Sequence, residues 1–142
     1  RNNNDVTYVC TSKITDMAGM CSGSSGNSTF NQPIGNWDVS NVTNMGGMFF
    51  GNSTFNQPIG KWDVSSVTNM GYMFYAATAF NQPIGAWDVS NVTNMEQMFR
   101  LAASFNQDLS SWNVNNVINC IQFNALATQW TLPKPNFTNC TP

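Results

Sequence analysis

One segment recurs at a spacing of 25 residues and governs what the chain can become. FNQPIGNWDVSNVTNM occupies 30–45, FNQPIGKWDVSSVTNM 55–70 and FNQPIGAWDVSNVTNM 80–95, and a worn copy, FNQDLSSWNVNNVINC, fills 105–120. A period in this range means that each copy is one supersecondary unit, unable to bury its apolar face alone and stacked on neighbours that bury it. The chain of 142 residues, 42% of them apolar, is long enough for such a stack to hold a core.

Within a period, Met70, Met73, Phe74, Ala77 and Phe80 fall at offsets 0, 3, 4, 7 and 10, and Met95, Met98, Phe99, Ala102 and Phe105 repeat the spacing. That spacing predicts the apolar stripe of a short amphipathic helix. Asn44, Asn69 and Asn94, with Asp16 before Met17, stand where N-caps belong. Pro33, Pro58 and Pro83 end the helix, and Gly35, Gly60 and Gly85 supply a turn. Trp37 and Val39 alternate with Asp38, which predicts a short strand. The expected fold is therefore an α/β repeat solenoid, each 25-residue coil a short strand, a turn and a short helix.

The flanks follow the same register in altered form. Ile14–Met20 matches Val42–Met48, and Trp130 lies one period after Phe105. Residues 1–29 read as an N-terminal cap with an altered half-repeat, 30–129 as four repeats, and 130–142 as a C-terminal cap. Four cysteines permit three pairings. Two lie near each end and none in the repeated middle, so they read as staples, Cys10–Cys21 and Cys120–Cys140, that close the two end caps and imply an oxidising compartment. Arg1 in first position reads as a processed chain or a fragment.

The string W-D-V-S-x-V-T-x-M-x-x-M-F followed by F-N-Q-x-I resembles the BspA-like leucine-rich-repeat surface proteins, which include repeat regions of many bacterial and mycoplasma surface lipoproteins and similar proteins of microbial eukaryotes. The resemblance runs from about Ile14 to Trp130 and weakens in the last copy, at Asp108, Asn113, Ile118 and Cys120. It implies a leucine-rich-repeat-like extracellular solenoid used for attachment or surface structure, and it carries over no catalytic residues.

Charge limits the partners. Charged residues make up 8% of the chain, the net charge is -2, and neither sign forms a run. A nucleic-acid footprint or a polybasic membrane patch is not expected, nor is any membrane-inserted segment. The chain has no histidine, so a nucleophile would lack its usual base and an enzyme is not expected.

Several rows of side chains remain to be weighed. Asp38, Asp63 and Asp88 share one position of successive coils and are candidates for a calcium row or an acid/base pair, with turn stabilisation the favoured reading. Asn31, Asn56, Asn81 and Asn106, with Gln32, Gln57, Gln82 and Gln107, form an amide row that suits either bonding between coils or a glycan. Trp37, Trp62, Trp87 and Trp112 read as core rather than as a stacking platform. Aromatics that occur in one copy only, Phe50, Tyr72 and Tyr75, are the candidate interaction surface. Six sequons, at Asn27, Asn41, Asn52, Asn91, Asn136 and Asn139, are candidates for N-glycosylation.

The reading that joins these observations is a non-enzymatic extracellular surface or structural repeat protein, glycosylated and without cofactor. It acts in adhesion, or as a building block of a fibre, coat or matrix. Its partners are other copies of itself or cell-surface and matrix components. The alternative is a carbohydrate-binding or carbohydrate-active module using the stacked Asp or Asn/Gln rows.

Overall fold

A computed structural model of the chain describes residues 6, 10–26 and 28–142. The repeat does stack, but not from strands and helices. Among the described residues the one helix is a three-residue 3₁₀ turn, Gly23–Ser25, capped by the Ser22 side chain and by Gly26 at φ 85°. The extended pairing is a column of single parallel bridges, Asp16 to Asn44 to Asn69 to Asn94 to Asn119. The expected α/β solenoid of strand–turn–helix units is therefore wrong, and each coil is a chain of turns.

The segment expected to be helical shows why. A helix would return every amide to the carbonyl four residues back. Here the amides alternate between two uses. Met70, Tyr72, Phe74 and Ala76 donate to Asn94, Glu96, Met98 and Arg100 of the next coil at 2.8–2.9 Å, while Met73, Tyr75 and Ala77 close turns on Met70, Tyr72 and Phe74. Tyr72 and Ala76 have φ of 60° and 52°, and Gln97, Leu101, Gln122 and Leu126 repeat this in later coils. Glycine fills those places in the first full coil, as Gly47 and Gly51. A positive φ at the third place of a four-residue turn belongs to the type II turn. Two such turns in succession bury positions 0, 3, 4 and 7, the same positions a helix would bury. The apolar pattern was right about burial and wrong about backbone.

The expected strand at Trp37–Val39 meets the same fate. Trp37 and Val42 donate to Ile34 and Val39, three residues back, so this side of the coil is also turned. Trp37, Val39 and Val42 nonetheless point inward and are buried.

The core is a set of columns, one per repeat position. Phe49, Phe74 and Phe99 stack at centroid spacings of 5.5 and 5.4 Å, and Phe55, Phe80 and Phe105 at 6.0 and 5.9 Å. Trp62, Trp87 and Trp112 stack at 6.4 Å. Each of these indole N–H groups donates to a carbonyl of the coil before it, at Ile34, Ile59 and Ile84. The tryptophans are thus core with a satisfied polar edge. No helix among the described residues is long and apolar enough to cross a membrane.

The two ends differ. Cys120 and Cys140 are bonded, and the tail packs Phe137 edge-on against Phe123 at 5.0 Å. Cys10 and Cys21, expected to pair, are both free: Cys10 is exposed and Cys21 is buried. Cys21 occupies the place that Phe49 takes one coil later, so its side chain enters the core as a small apolar group. Burial pushes its thiol pKa up to about 12, which leaves it protonated and unreactive.

Candidate functional site

Most polar side chains of the repeat are engaged in holding coils together. Asn69 Nδ2 donates to Asn44 Oδ1 at 2.9 Å and Asn94 Nδ2 to Asn69 Oδ1 at 3.0 Å. The Oδ1 atoms of Asn44, Asn69 and Asn94 each accept from the amide two residues on, at Gly46, Gly71 and Glu96. These residues keep the bond of an N-cap, without the helix.

The second amide row behaves similarly. Asn31 Oδ1 accepts from the Asn56 amide and Gln57 Nε2, Asn56 Oδ1 from Asn81 and Gln82, and Asn81 Oδ1 from Asn106 and Gln107, all at 2.8–3.0 Å. Gln32 ends the row without a bond of this kind, while Asn106 serves Thr131 and Leu132 of the tail.

The aspartates work locally. Asp38, Asp63 and Asp88 each accept from the amide two residues on, at Ser40, Ser65 and Ser90. Asp108, which the sequence reading passed over, does the same with Ser110. The serine hydroxyl and amide bonds hold the carboxyl groups of Asp38, Asp88 and Asp108 below the ordinary 3.8. Asn113 replaces aspartate in the last copy and still accepts from Asn115, as a turn role allows and a charge-dependent role would not. Among the described residues no cluster of three metal-ligating side chains occurs.

The sequons divide by geometry. Asn52 is fully buried, its Nδ2 donating to the carbonyls of Cys21 and Phe30 and its Oδ1 accepting from Thr54 and Phe55. A glycan cannot be attached there without undoing the coil, and the expectation at Asn52 is corrected. Asn41 and Asn91 are exposed, and each also donates to the coil before it, at Ser12 and Ser65. Asn136 and Asn139 are exposed in the tail. Asn27 lies outside the described residues.

The single-copy aromatics come together. Phe50 and Tyr75 stack at 4.6 Å, and Tyr72 lies 6.5 Å from Phe50 and 6.2 Å from Tyr75. All three are partly exposed. The third coil supplies a polar border that sequence reasoning missed. The Tyr72 hydroxyl donates to Glu96 Oε1, the Arg100 guanidinium sits 5.6 Å over the Tyr75 ring, and Arg100 also donates to Gln97 Oε1 at 3.0 Å. Hydrogen bonding to the Glu96 carboxylate raises the Tyr72 pKa above its ordinary 10. The readable signal was the variation itself: positions 96, 97 and 100 differ from copy to copy, as 71, 72 and 75 do.

Beside this cluster runs an open groove of about 480 Å³, floored by Asn44, Asn69 and Asn94 and walled by Phe50 and Tyr72. Gly46 and Gly71 keep it open. A Cβ on Gly71 would lie 2.7 Å from Asn94 Nδ2, and one on Gly46 would lie 2.9 Å from Asn69 Nδ2. The third coil has Glu96 at this place, and there Asn119 Nδ2 turns away from the amide column to bond Glu96 Oε2 at 3.0 Å. The groove therefore ends at Glu96.

Comparison with known families gives one match. The family model described as "Mycoplasma protein of unknown function, DUF285" matches residues 1–86, more than half of the chain. The chain belongs to the DUF285 family. No curated protein and no solved structure matches it. The DUF285 match takes in the first two full copies and the start of the third, and with them Phe50, Tyr72, Tyr75 and the glycines of the groove.

Proposed function

We propose that this DUF285 chain is a non-enzymatic surface repeat protein, of the BspA-like kind its repeat resembles, that attaches to an extracellular partner through the face carrying Phe50, Tyr72 and Tyr75. The observation that carries the reading is the convergence of three partly exposed aromatics, absent from the core pattern, into one cluster, two of which, Phe50 and Tyr72, wall a groove. Exposed aromatics gathered in one patch are the residues that supply binding energy at protein surfaces. The repeat's aspartates and amides support the reading from the other side, because their bonds are used within turns or between coils.

A second reading is favoured by the groove. The column takes one Nδ2 hydrogen each from Asn69 and Asn94. The second hydrogen of each NH₂, beside Tyr72 and Phe50, suits a neutral sugar, with ring faces on aromatics and hydroxyls on amides. Tyr75→Ala and Phe50→Ser should lower binding of the purified chain to immobilised host matrix or cell-wall polysaccharide at least tenfold while leaving the melting temperature within two or three degrees. Unchanged binding overturns the reading. Binding to polysaccharide alone favours the sugar version, and release of reducing ends would make the protein an enzyme instead.

A further inference from the structure

The bonds between coils have a direction. At every junction the amides on the turn side point to the next coil and the carbonyls point to the one before. Met17 and Gly19 donate to Asn44 and Gly46, Met45 and Gly47 to Asn69 and Gly71, Met70 and Tyr72 to Asn94 and Glu96, and Met95 and Gln97 to Asn119 and Ile121. Along this segment the stack thus ends in donors on its last coil and acceptors on its first. The position just before it runs the other way, Thr43, Thr68, Thr93 and Ile118 donating back to Thr15, Thr43, Thr68 and Thr93.

The last coil keeps the donor side of this pattern. Gln122 and Leu126 hold the places of Gln97 and Leu101, whose amides donate at 2.9 Å, but among the described residues their own amides have no partner. Both residues are exposed. The tail lies beside Gln122, with Phe137 against Phe123, but makes no hydrogen bond to either amide. Its disulfide closes only the Cys120 rung, which is buried. At the other end the carbonyls of Asp16 and Ala18, exposed residues in the places of Asn44 and Gly46, are likewise without partners among the described residues. Backbone groups left unpaired at the end of a stack, where the same groups pair coil to coil inside it, are a template for pairing.

Side chains change at the same place. Ile118, Ile121 and Leu126 are exposed at 73%, 56% and 60%, and Met20 is exposed at 39%. Ile118 stands where other coils have Thr43, Thr68 and Thr93, and Ile121 where they have Gly46, Gly71 and Glu96. The last coil has thus exchanged polar or absent side chains for large apolar ones along its open edge. The first coil offers Ala18, Gly19 and Met20 opposite the corresponding register.

We infer that the edge at 121–126 takes the Asp16–Met20 segment of a second copy, with the Gln122 amide donating to the Ala18 carbonyl as Gln97 donates to Ile121 within the chain. The contact joins two different faces, so it leaves a free donor edge and a free acceptor edge on every pair. Such a heterologous contact propagates into an open filament rather than closing. With five rungs per copy, from Asp16 to Asn119, and about 4.8 Å per rung, each copy advances a filament by about 24 Å. The contact spares Phe50, Tyr72 and Tyr75 but takes Ala18 and Gly19, which line the first-coil end of the groove, so filament growth and binding at the aromatic cluster are read separately.

The test uses the whole chain in sedimentation velocity over a concentration series, with negative-stain microscopy at the top of the range. Wild type should grow without limit into filaments with an axial repeat of about 24 Å. Ala18→Lys damages the acceptor edge and Ile121→Lys the donor edge, each at an exposed position. Each variant alone should remain monomeric with an unchanged melting temperature. Mixed, they retain one sound edge of each kind and should form a one-to-one dimer that grows no further. Wild type that stays monomeric throughout overturns the inference. So does growth unaffected by either substitution, a dimer of wild type that stops at two, or a mixture in which the variants ignore each other.

Discussion

Gly71 and Glu96 occupy the same place in successive coils and have opposite effects on the amide column. Beside Gly71 the column runs unbroken, and beside Glu96 it is diverted to a carboxylate. A methyl group at position 71 would meet Asn94 Nδ2 at 2.7 Å and force that amide off Asn69. A lost bond of this kind costs about 1 kcal/mol, offset in part by the lower unfolded-state entropy of alanine. The coupling isolates the clash: Gly71→Ala should cost about 1 kcal/mol more in the native background than in Asn94→Ala. Equal costs, read from denaturant midpoints, would mean the amide column does not need the glycine. Aromatic residues make the second contrast at this scale. Trp62 is 4% exposed and stacked between coils, whereas Tyr72 stands partly exposed at the groove. Trp62→Ala should lose about 3–5 kcal/mol and Tyr72→Ala well under half of that. Similar losses would refute the assignment of inward and outward faces.

At the scale of the element, the turns that replaced the expected helix make a prediction opposite in sign to the helix. Ala76 sits at φ 52°, in the place of Gly51 one coil earlier. Glycine adopts that conformation without the steric cost that alanine bears. Ala76→Gly should therefore stabilise the protein by about 1 kcal/mol, whereas in a helix the same change would destabilise it by about 0.5–1. Stabilisation or loss in a chemical denaturation curve decides between the two backbones. The aspartate turns add a pH signature. Asp38, Asp88 and Asp108 are depressed in the folded state by their serine bonds. Their contribution is complete above the ordinary 3.8 and is lost as pH falls through the depressed values. Melting temperature should fall on acidification below about pH 3.8, and replacing the three with Asn should make that fall shallower. An unchanged acid limb would show that these bonds contribute nothing. What the sequence revealed and what it hid divide along the same line. Inward positions, the 25-residue register and the aromatic cluster were all legible, because burial and recurrence are written in side-chain type. The backbone was not, because two type II turns and two helical turns bury the same offsets. Gly47 and Gly51 were the readable warning, being poor helix residues placed where a positive φ was needed. The buried amide of Asn52 was hidden by its sequon, and the third-coil border of Glu96, Gln97 and Arg100 by its lack of repetition.

For the whole molecule, a stack has one neighbour per coil at its ends and two in its middle, so stability should fall toward the ends unless something ties them. The Cys120–Cys140 bond is such a tie: it closes a separation of 20 residues and holds Phe137 against Phe123. Cys10 and Cys21 leave the first coil without one. A disulfide closing a loop of this size contributes about 2–4 kcal/mol, so Cys140→Ser should lower stability by that amount. The loss should also be local. Hydrogen exchange ought to quicken most at Met95, Gln97, Phe99 and Leu101, whose amides rest on the last coil. Met45, Gly47 and Phe49, bonded to a coil with neighbours on both sides, should change little. Equal acceleration at both sets would mean that the coils unfold as one unit and that the tail guards the whole stack.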